Sequence, residues 1–524
     1  MAIKNIKNFN VVQNNRTVNS IRNSVIGIFM QFLQAISSFA CRMIFVRYLS
    51  QEYLGVNGLF TDVISFLAVA ELGIGTAISF ELYKALAEEN KETVVALMSF
   101  YRKAYAVIGI IVAGIGLILL PFIHLIINEA SVSDNIYCLF LLYLTESVFS
   151  YFFSYKQTII QAAQQNYIVS TVEAIFGIIK NIVQIIILVI AKNFMLYLLV
   201  QIIFKLLCNI FLAEIANKIF PIIRKKSQIP LNIKTKKQML KNVRYVFVTN
   251  LFSKLVNSTD SIIITSILGL AISGLNSNYT MIIATISSFT SKIQDGVLAS
   301  IGNVNAIENN EKRIKLFYEI YFIFFWIYLW CTTCFIVLVN DTINLLFGTS
   351  YVLPIEIAFI CGINFFQTQI FNVIISYRTT LGLFKYGRYT TLATGVVNIF
   401  LSVYLGQKLG VFGILLATFI CRMVTLDWYY PYVIFKYGFK VNSFKYYIKT
   451  ILYWLIGGIE IAIVFFVCSV MNFTPIINIF IKGIICMILP NIIIFLVFCK
   501  TLEYQGCKEK ITNVIKRKFI KYND

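Results

Sequence analysis

Residues 23–46 read NSVIGIFMQFLQAISSFACRMIFV. At 1.5 Å per residue a helix of this length crosses about 30 Å of hydrocarbon. The run is not uniformly apolar. Ser24, Gln31, Ser38 and Arg42 recur at intervals of seven, seven and four residues, which places them on one face of a helix. A face carrying a guanidinium does not meet lipid; it packs against another helix or lines water. The segment therefore predicts one helix of a polytopic bundle rather than a lone anchor. It follows about 22 polar residues, is longer than a signal-peptide apolar region and lacks a small-residue cleavage site, so it reads as a span.

The rest of the chain agrees. Of 524 residues, 59% are hydrophobic and 13% charged, against roughly 25% charged in a soluble domain, and the mean hydropathy is +0.79. That balance excludes a string of soluble domains and a disordered chain. The 11 Cys are spread mostly through apolar runs and His124 is the single His. A disulfide scaffold and a structural zinc site both lack their ligand pattern, and the cysteines read as apolar packing. About fourteen apolar segments long enough to span follow one another, at roughly 23–46, 56–83, 104–127, 135–156, 167–191, 194–217, 245–268, 277–303, 316–340, 354–377, 387–407, 411–435, 448–471 and 475–499. The predicted fold class is an all-α integral membrane protein.

Charge in the connections sets orientation. With the N-terminus inside, 35 Lys and Arg fall in cytoplasmic segments and three (Arg47, Lys192, Lys408) outside. A one-span error would invert the bias downstream, so the count supports an even number of spans with both termini cytoplasmic. The net charge of +21 is thus chiefly a topology signal, and no nucleic-acid partner is expected. The central loop, with Lys225 and Lys226 among its nine cations, is also suited to rest on anionic lipid.

That loop divides the chain into two six-span halves. Leu49, Gly55 and Asn57 recur as Leu268, Gly274 and Asn276, each 219 residues on. Tyr155-Lys156-x-Thr158 with Tyr167 recurs as Tyr377-Arg378-x-Thr380 with Tyr389, 222 residues on. The predicted organisation is a cytoplasmic N-terminal segment (1–22), an N-lobe (23–217), a basic cytoplasmic loop (218–244), a C-lobe (245–435), an added helix pair (448–499) and a basic cytoplasmic tail (500–524). The two lobes are expected to be pseudo-symmetric.

Several spans carry cations, each costing about 2.5–3.5 kcal/mol on insertion scales. Adding 219 to Gln31, Ser38 and Arg42 gives Asn250, Asn257 and Ser261, and Lys254 shares that second stripe. Span five contributes Lys180 and Gln184, with Glu173; span eight contributes Lys292, with Thr285, Ser288 and Asp295. Helix-to-helix hydrogen bonding is the plain reading of such polar groups, and it suits Lys205 and Lys482. For Arg42, Lys180 and Lys254 a water-lined anion site is favoured. Asp62 and Asp260 are candidates for a coupling Na⁺ or H⁺; no other cofactor and no metal is expected.

The stretch Glu52-Tyr53-Leu54-Gly55, followed by Ala70-Glu71-Leu72-Gly73-Ile74-Gly75-Thr76-Ala77, resembles the opening of the bacterial polysaccharide-biosynthesis (Wzx-type) flippases. Gly55, Glu71 and Gly73 carry the match, with Glu71 where the family pattern often has Asp. These flippases share a superfamily with the multidrug and toxin extrusion (MATE) exporters and the lipid II flippases. The resemblance implies a bacterial plasma-membrane flippase with MATE-like lobes and a central cationic cavity opening alternately to each side. Its substrate would be a polyprenyl-diphosphate-linked oligosaccharide, carried outward for capsular or exopolysaccharide synthesis. Partners would be membrane lipids, a polysaccharide polymerase and glycosyltransferases. In such a cavity Arg42, Lys180 and Lys254 would hold the diphosphate, Gln31, Gln184, Asn250 and Asn257 would meet the sugar hydroxyls, and Ser38 and Lys292 would complete the lining.

Other classes fit less well. A MATE-type drug exporter handles cationic or amphipathic molecules and calls for an acidic or aromatic cavity. A lipid II-type flippase shares the cationic requirement and stays as an alternative. A membrane enzyme needs a large outside loop, and none here exceeds about 15 residues. A scaffold leaves the buried cations unexplained. No enzymatic activity is expected.

Overall fold

The computed structural model describes residues 16–68, 75, 78, 81–83, 85–86, 88–127, 132–224, 259–307, 309–383, 386–471 and 473–510. All regular structure among these residues is helical. In chain order the main helices are α1 (Arg16–Tyr48), α2 (Gln51–Leu67), α3 (Lys91–Leu119), α4 (Ile136–Ser154), α5 (Asn166–Ile190), α6 (Phe194–Ile219), α7 (Thr259–Leu268), α8 (Leu270–Ile307), α9 (Asn310–Phe347), α10 (Ile355–Thr380), α11 (Arg388–Thr425), α12 (Phe444–Ser469) and α13 (Pro475–Phe498).

Ten helical stretches among the described residues are long and apolar enough to cross a membrane, which makes this a multi-pass membrane protein. Helix accompanies each of the fourteen expected segments. Among the described residues α2 and α7 accompany the parts of segments two and seven that are described, and the eleventh and twelfth share α11. That helix breaks at Gly410, whose φ of 61° and ψ of −142° lie outside helical space. A left-handed φ is where glycine alone is unstrained, so the break falls where the chain has to reverse between segments.

Local sequence explains where the helices start. Asn90, Asn135, Asn193 and Asn309 each cap a helix by accepting from a backbone N–H in the first turn, at 3.0, 3.0, 2.9 and 3.1 Å. The Asn-rich composition thus has one structural use. α9 ends at Gly348, with φ 99°.

The chain divides into two compact units, residues 1–277 and 278–524. In the N-terminal unit α1 lies along α5, and Gly177 makes room for Gln34; a Cβ there would stand 3.0 Å from Gln34 Nε2. This unit also contains the first two turns of α8. A Cβ on Gly55 would lie 2.1 Å from the Leu270 carbonyl oxygen, and one on Gly274 would lie 2.2 Å from that of Gln51. Gln51 and Leu270 open α2 and α8 and are themselves 219 apart. The crossing is therefore reciprocal: each repeat-equivalent glycine admits the other helix's first turn. Gly58 and Ser277, again 219 apart, meet at the same crossing, where a Cβ on Gly58 would stand 3.4 Å from Ser277 Cβ.

The C-terminal unit is held by an aromatic core in which Phe317, Tyr321, Tyr377, Phe435, Phe439 and Tyr446 pack among α9, α10, the turn before α12, and α12 itself. A second, smaller cluster joins Val337, Val464, Cys468 and Cys486 across α9, α12 and α13. All 11 cysteines are free. Beyond α13, the helical segment 502–510 returns to α9. Lys510 pairs with Glu319, and Glu503 pairs with Lys449. Lys482 is bound to Asp341 at 2.7 Å, a helix-to-helix role.

Candidate anion site

The polar face of α1 is occupied mainly by α5. Asn181 Nδ2 donates to Ser37 Oγ at 2.9 Å and to Ser38 Oγ at 3.2 Å. One turn on, Cys41 Sγ donates to Gln184 Oε1 at 3.9 Å, while Gln184 Nε2 donates to the Tyr197 carbonyl at 3.2 Å. Gln184 is fully buried, so in this structure it joins α1, α5 and α6. Ser38 is engaged in the same way. Of the amide and hydroxyl groups expected to line the cavity, these two bond between helices.

The cations differ from them. Arg42 is half-buried, donates from Nη2 to Ser277 Oγ at 2.5 Å, and lies 5.9 Å from the Phe45 ring centroid. Lys180 is half-buried on α5. Its electrostatic neighbours are Cys41, Glu146 and Lys205. Among the described residues no carboxylate oxygen comes within 4.0 Å of its Nζ. Glu146, the nearby acid, is instead engaged by Gln201 Nε2 at 2.9 Å. One membrane-embedded ammonium thus lacks an ion pair among the described residues, and it shares an electrostatic neighbour, Cys41, with the Arg42 guanidinium on the adjoining helix. An anionic group is the chemistry that satisfies such an ammonium.

Other expected residues are placed apart or lie outside the described residues. Gln31 is half-buried on α1. Asp62 on α2 and Asp260 on α7 are half-buried, as is Lys292 on α8 in the C-terminal unit. Thr285 and Ser288 bond back to carbonyls of their own helix, at 2.9 and 2.7 Å. Asn250, Lys254, Asn257, Glu71 and Gly73 lie outside the described residues. Gly75 of the motif meets the Tyr101 hydroxyl, 3.3 Å from where its Cβ would stand. No group of three His, Cys, Asp or Glu side chains is placed to hold a metal ion among the described residues.

The sequence reading passed over Asn181, Gln201 and Ser277. Asn181 adjoins Lys180 but projects to a different face, which a stripe built on charge alone misses. Ser277 had a usable signal: it is Gly58 plus 219.

No family model matches the chain, and no curated protein matches it in sequence. Solved structures do match in fold. The structure titled "Lipid II flippase MurJ, inward closed conformation" superposes with a TM-score of 0.61 at 16% identity, over 91% of this chain and 98% of that one. A transporter of the MOP superfamily from Pyrococcus furiosus gives 0.57 at 14%, over 83% and 99%. A point mutant of the Vibrio cholerae MATE transporter VcmN gives 0.55 at 13%, over 82% and 99%. The chain therefore has the fold shared by these MOP-superfamily proteins.

Proposed function

We propose that this protein is a membrane transporter that flips polyprenyl-diphosphate-linked oligosaccharides from the cytoplasmic to the outer leaflet of a bacterial plasma membrane, by alternating access. The observation that carries the reading is Lys180, a cation within a span, without an ion pair among the described residues, which shares the neighbour Cys41 with Arg42. Moving a diphosphate through a low-dielectric layer demands compensating positive charge. The inside-negative potential favours outward movement by about 2.3 kcal/mol per charge per 100 mV. Lys254, on the repeat-equivalent stripe, is assigned the same role, and Asp62 or Asp260 that of binding a coupling cation. A lipid II-type flippase is the second reading, favoured by the extent of the match to the flippase structure. A cation-handling drug exporter suits the Arg42–Lys180 pair poorly. The Pyrococcus furiosus protein is described by its title as having a reversed binding-pocket polarity, which supports letting charge rather than fold decide between these classes.

The test is polymer output per folded transporter for Arg42→Gln, Lys180→Gln and Lys254→Gln. Export should stop while folded protein stays in the membrane, and lipid-linked repeat units should accumulate on the cytoplasmic leaflet. Normal output from Arg42→Gln with Lys180→Gln at unchanged protein level overturns the site. Rescue of a lipid II flippase deletion, without rescue of a polysaccharide flippase deletion, selects the second reading.

A further inference from the structure

Arg42 is tied to the crossing of α2 and α8 through the Ser277 hydroxyl. Ser277 Oγ donates to the Gly274 carbonyl at 2.6 Å. A serine hydroxyl has one proton, so the contact with Arg42 Nη2 falls on an Oγ lone pair. The order is guanidinium to hydroxyl to carbonyl, ending on the glycine whose absent side chain admits the first turn of α2. Gly58 lies against the same serine.

We infer that Ser277 is a positioning residue that holds Arg42 at the α2–α8 crossing until an anion takes the guanidinium, and that this exchange loosens the crossing. The inference rests on the diphosphate reading of Arg42. A phosphate oxygen is a stronger acceptor for a guanidinium than a neutral hydroxyl, and it binds in a forked geometry that Ser277 does not offer. Arg42 turning to the phosphate breaks its bond to Ser277, so this link from α1 to the first turns of α8 is lost. The crossing has no side chains at Gly55 or Gly274 to interlock, so small movements there meet little steric resistance. A ligand shifts such an equilibrium only through contacts that differ between the two states, and the Arg42–Ser277 bond is such a contact.

The probe is a short-chain polyprenyl diphosphate, added to full-length protein in lipid nanodiscs. Two readings are taken: its affinity, and the rate at which a maleimide labels Gly58→Cys, followed by peptide mass spectrometry so that native cysteines do not interfere. Ser277→Ala removes one competitor, so affinity should rise about tenfold, the scale of one hydrogen bond to a charged group. Ser277→Thr keeps the hydroxyl and should bind as the wild type does. Ligand should accelerate labelling of Gly58→Cys, and Arg42→Gln should abolish that acceleration. Equal affinity in Ser277→Ala and wild type, or labelling indifferent to ligand while the wild type binds, overturns the inference and leaves the substrate reading standing. Absence of binding by the wild type overturns both.

Discussion

Lys482 on α13 holds Asp341 on α9, with its ammonium 2.7 Å from Oδ2, and Asn478 supports the same oxygen at 3.3 Å. This partly buried pair joins the last helix to the C-terminal unit. Lys482→Met leaves a carboxylate with one weak neutral donor, so it should lower stability by about 2–3 kcal/mol. Lys482→Met combined with Asp341→Leu removes both charges and should recover most of that loss. Thermal unfolding of the wild type, the single and the double variant in one detergent checks this; equal destabilisation by the single and double changes would show that a stranded carboxylate is not the source of the loss.

The same pair shows what hydropathy hides. Apolar periodicity places segment nine at 316–340, because Asn340 and Asp341 end the apolar run, whereas α9 continues to Phe347. Lys482 was readable as a helix-joining cation, but its partner fell just past the expected boundary. Helix ends are set by caps and tertiary contacts as much as by composition. Conversely, the offset of 219 was legible from three residues and is reproduced in the helix starts at Gln51 and Leu270. Legible too was the polar stripe of α1. Which of its members bond to α5 and which reach an open partner was not, since both uses need the same residue types at the same spacing.

At the α2–α8 crossing, alanine tolerance should follow the space available. Gly55→Ala and Gly274→Ala drive a methyl to 2.1 and 2.2 Å from backbone oxygens, which forces the helices apart. Each should cost about 3 kcal/mol, and the pair together less than the sum, because one displacement relieves both. Gly58→Ala meets only Ser277 Cβ at ordinary contact distance and should be near neutral. Folded, monodisperse yield after detergent extraction reads this out; normal yield of Gly55→Ala would show that the close approach is not required.

The segment after α13 should shield one thiol. A Cβ on Gly506 would stand 2.3 Å from Glu319 Oε1, and the buried Cys507 donates from Sγ to the Glu319 carbonyl at 3.7 Å. Burial, then the charge of Glu319, pushes the Cys507 thiol up to about 11, against the opposing pull of Lys510. Since the thiolate is the reactive form, about one molecule in 10⁴ is ionised at pH 7. Alkylation of Cys507 should therefore rise about tenfold per pH unit towards that value and slow as pH falls. Gly506→Val should undock the segment and speed alkylation at pH 7. Rapid wild-type labelling at neutral pH would show that the segment is not docked in solution.

Two Lys→Met changes should move stability in opposite directions. Lys482→Met strands Asp341, as argued above. Lys180 has no carboxylate within 4.0 Å among the described residues, so Lys180→Met strands no ion pair and removes a charge that costs about 2.5–3.5 kcal/mol within a membrane. The field of Glu146 relieves part of that cost, so a gain of about 1–2 kcal/mol is expected. Binding of a polyprenyl diphosphate should weaken at the same time, because the charge kept at a cost to stability is the one that meets the phosphate. A structural lysine gives the reverse pattern: lower stability and unchanged affinity. Melting temperature and ligand titration on the same preparation of Lys180→Met decide between the two, and a destabilised variant with wild-type affinity would return Lys180 to helix packing.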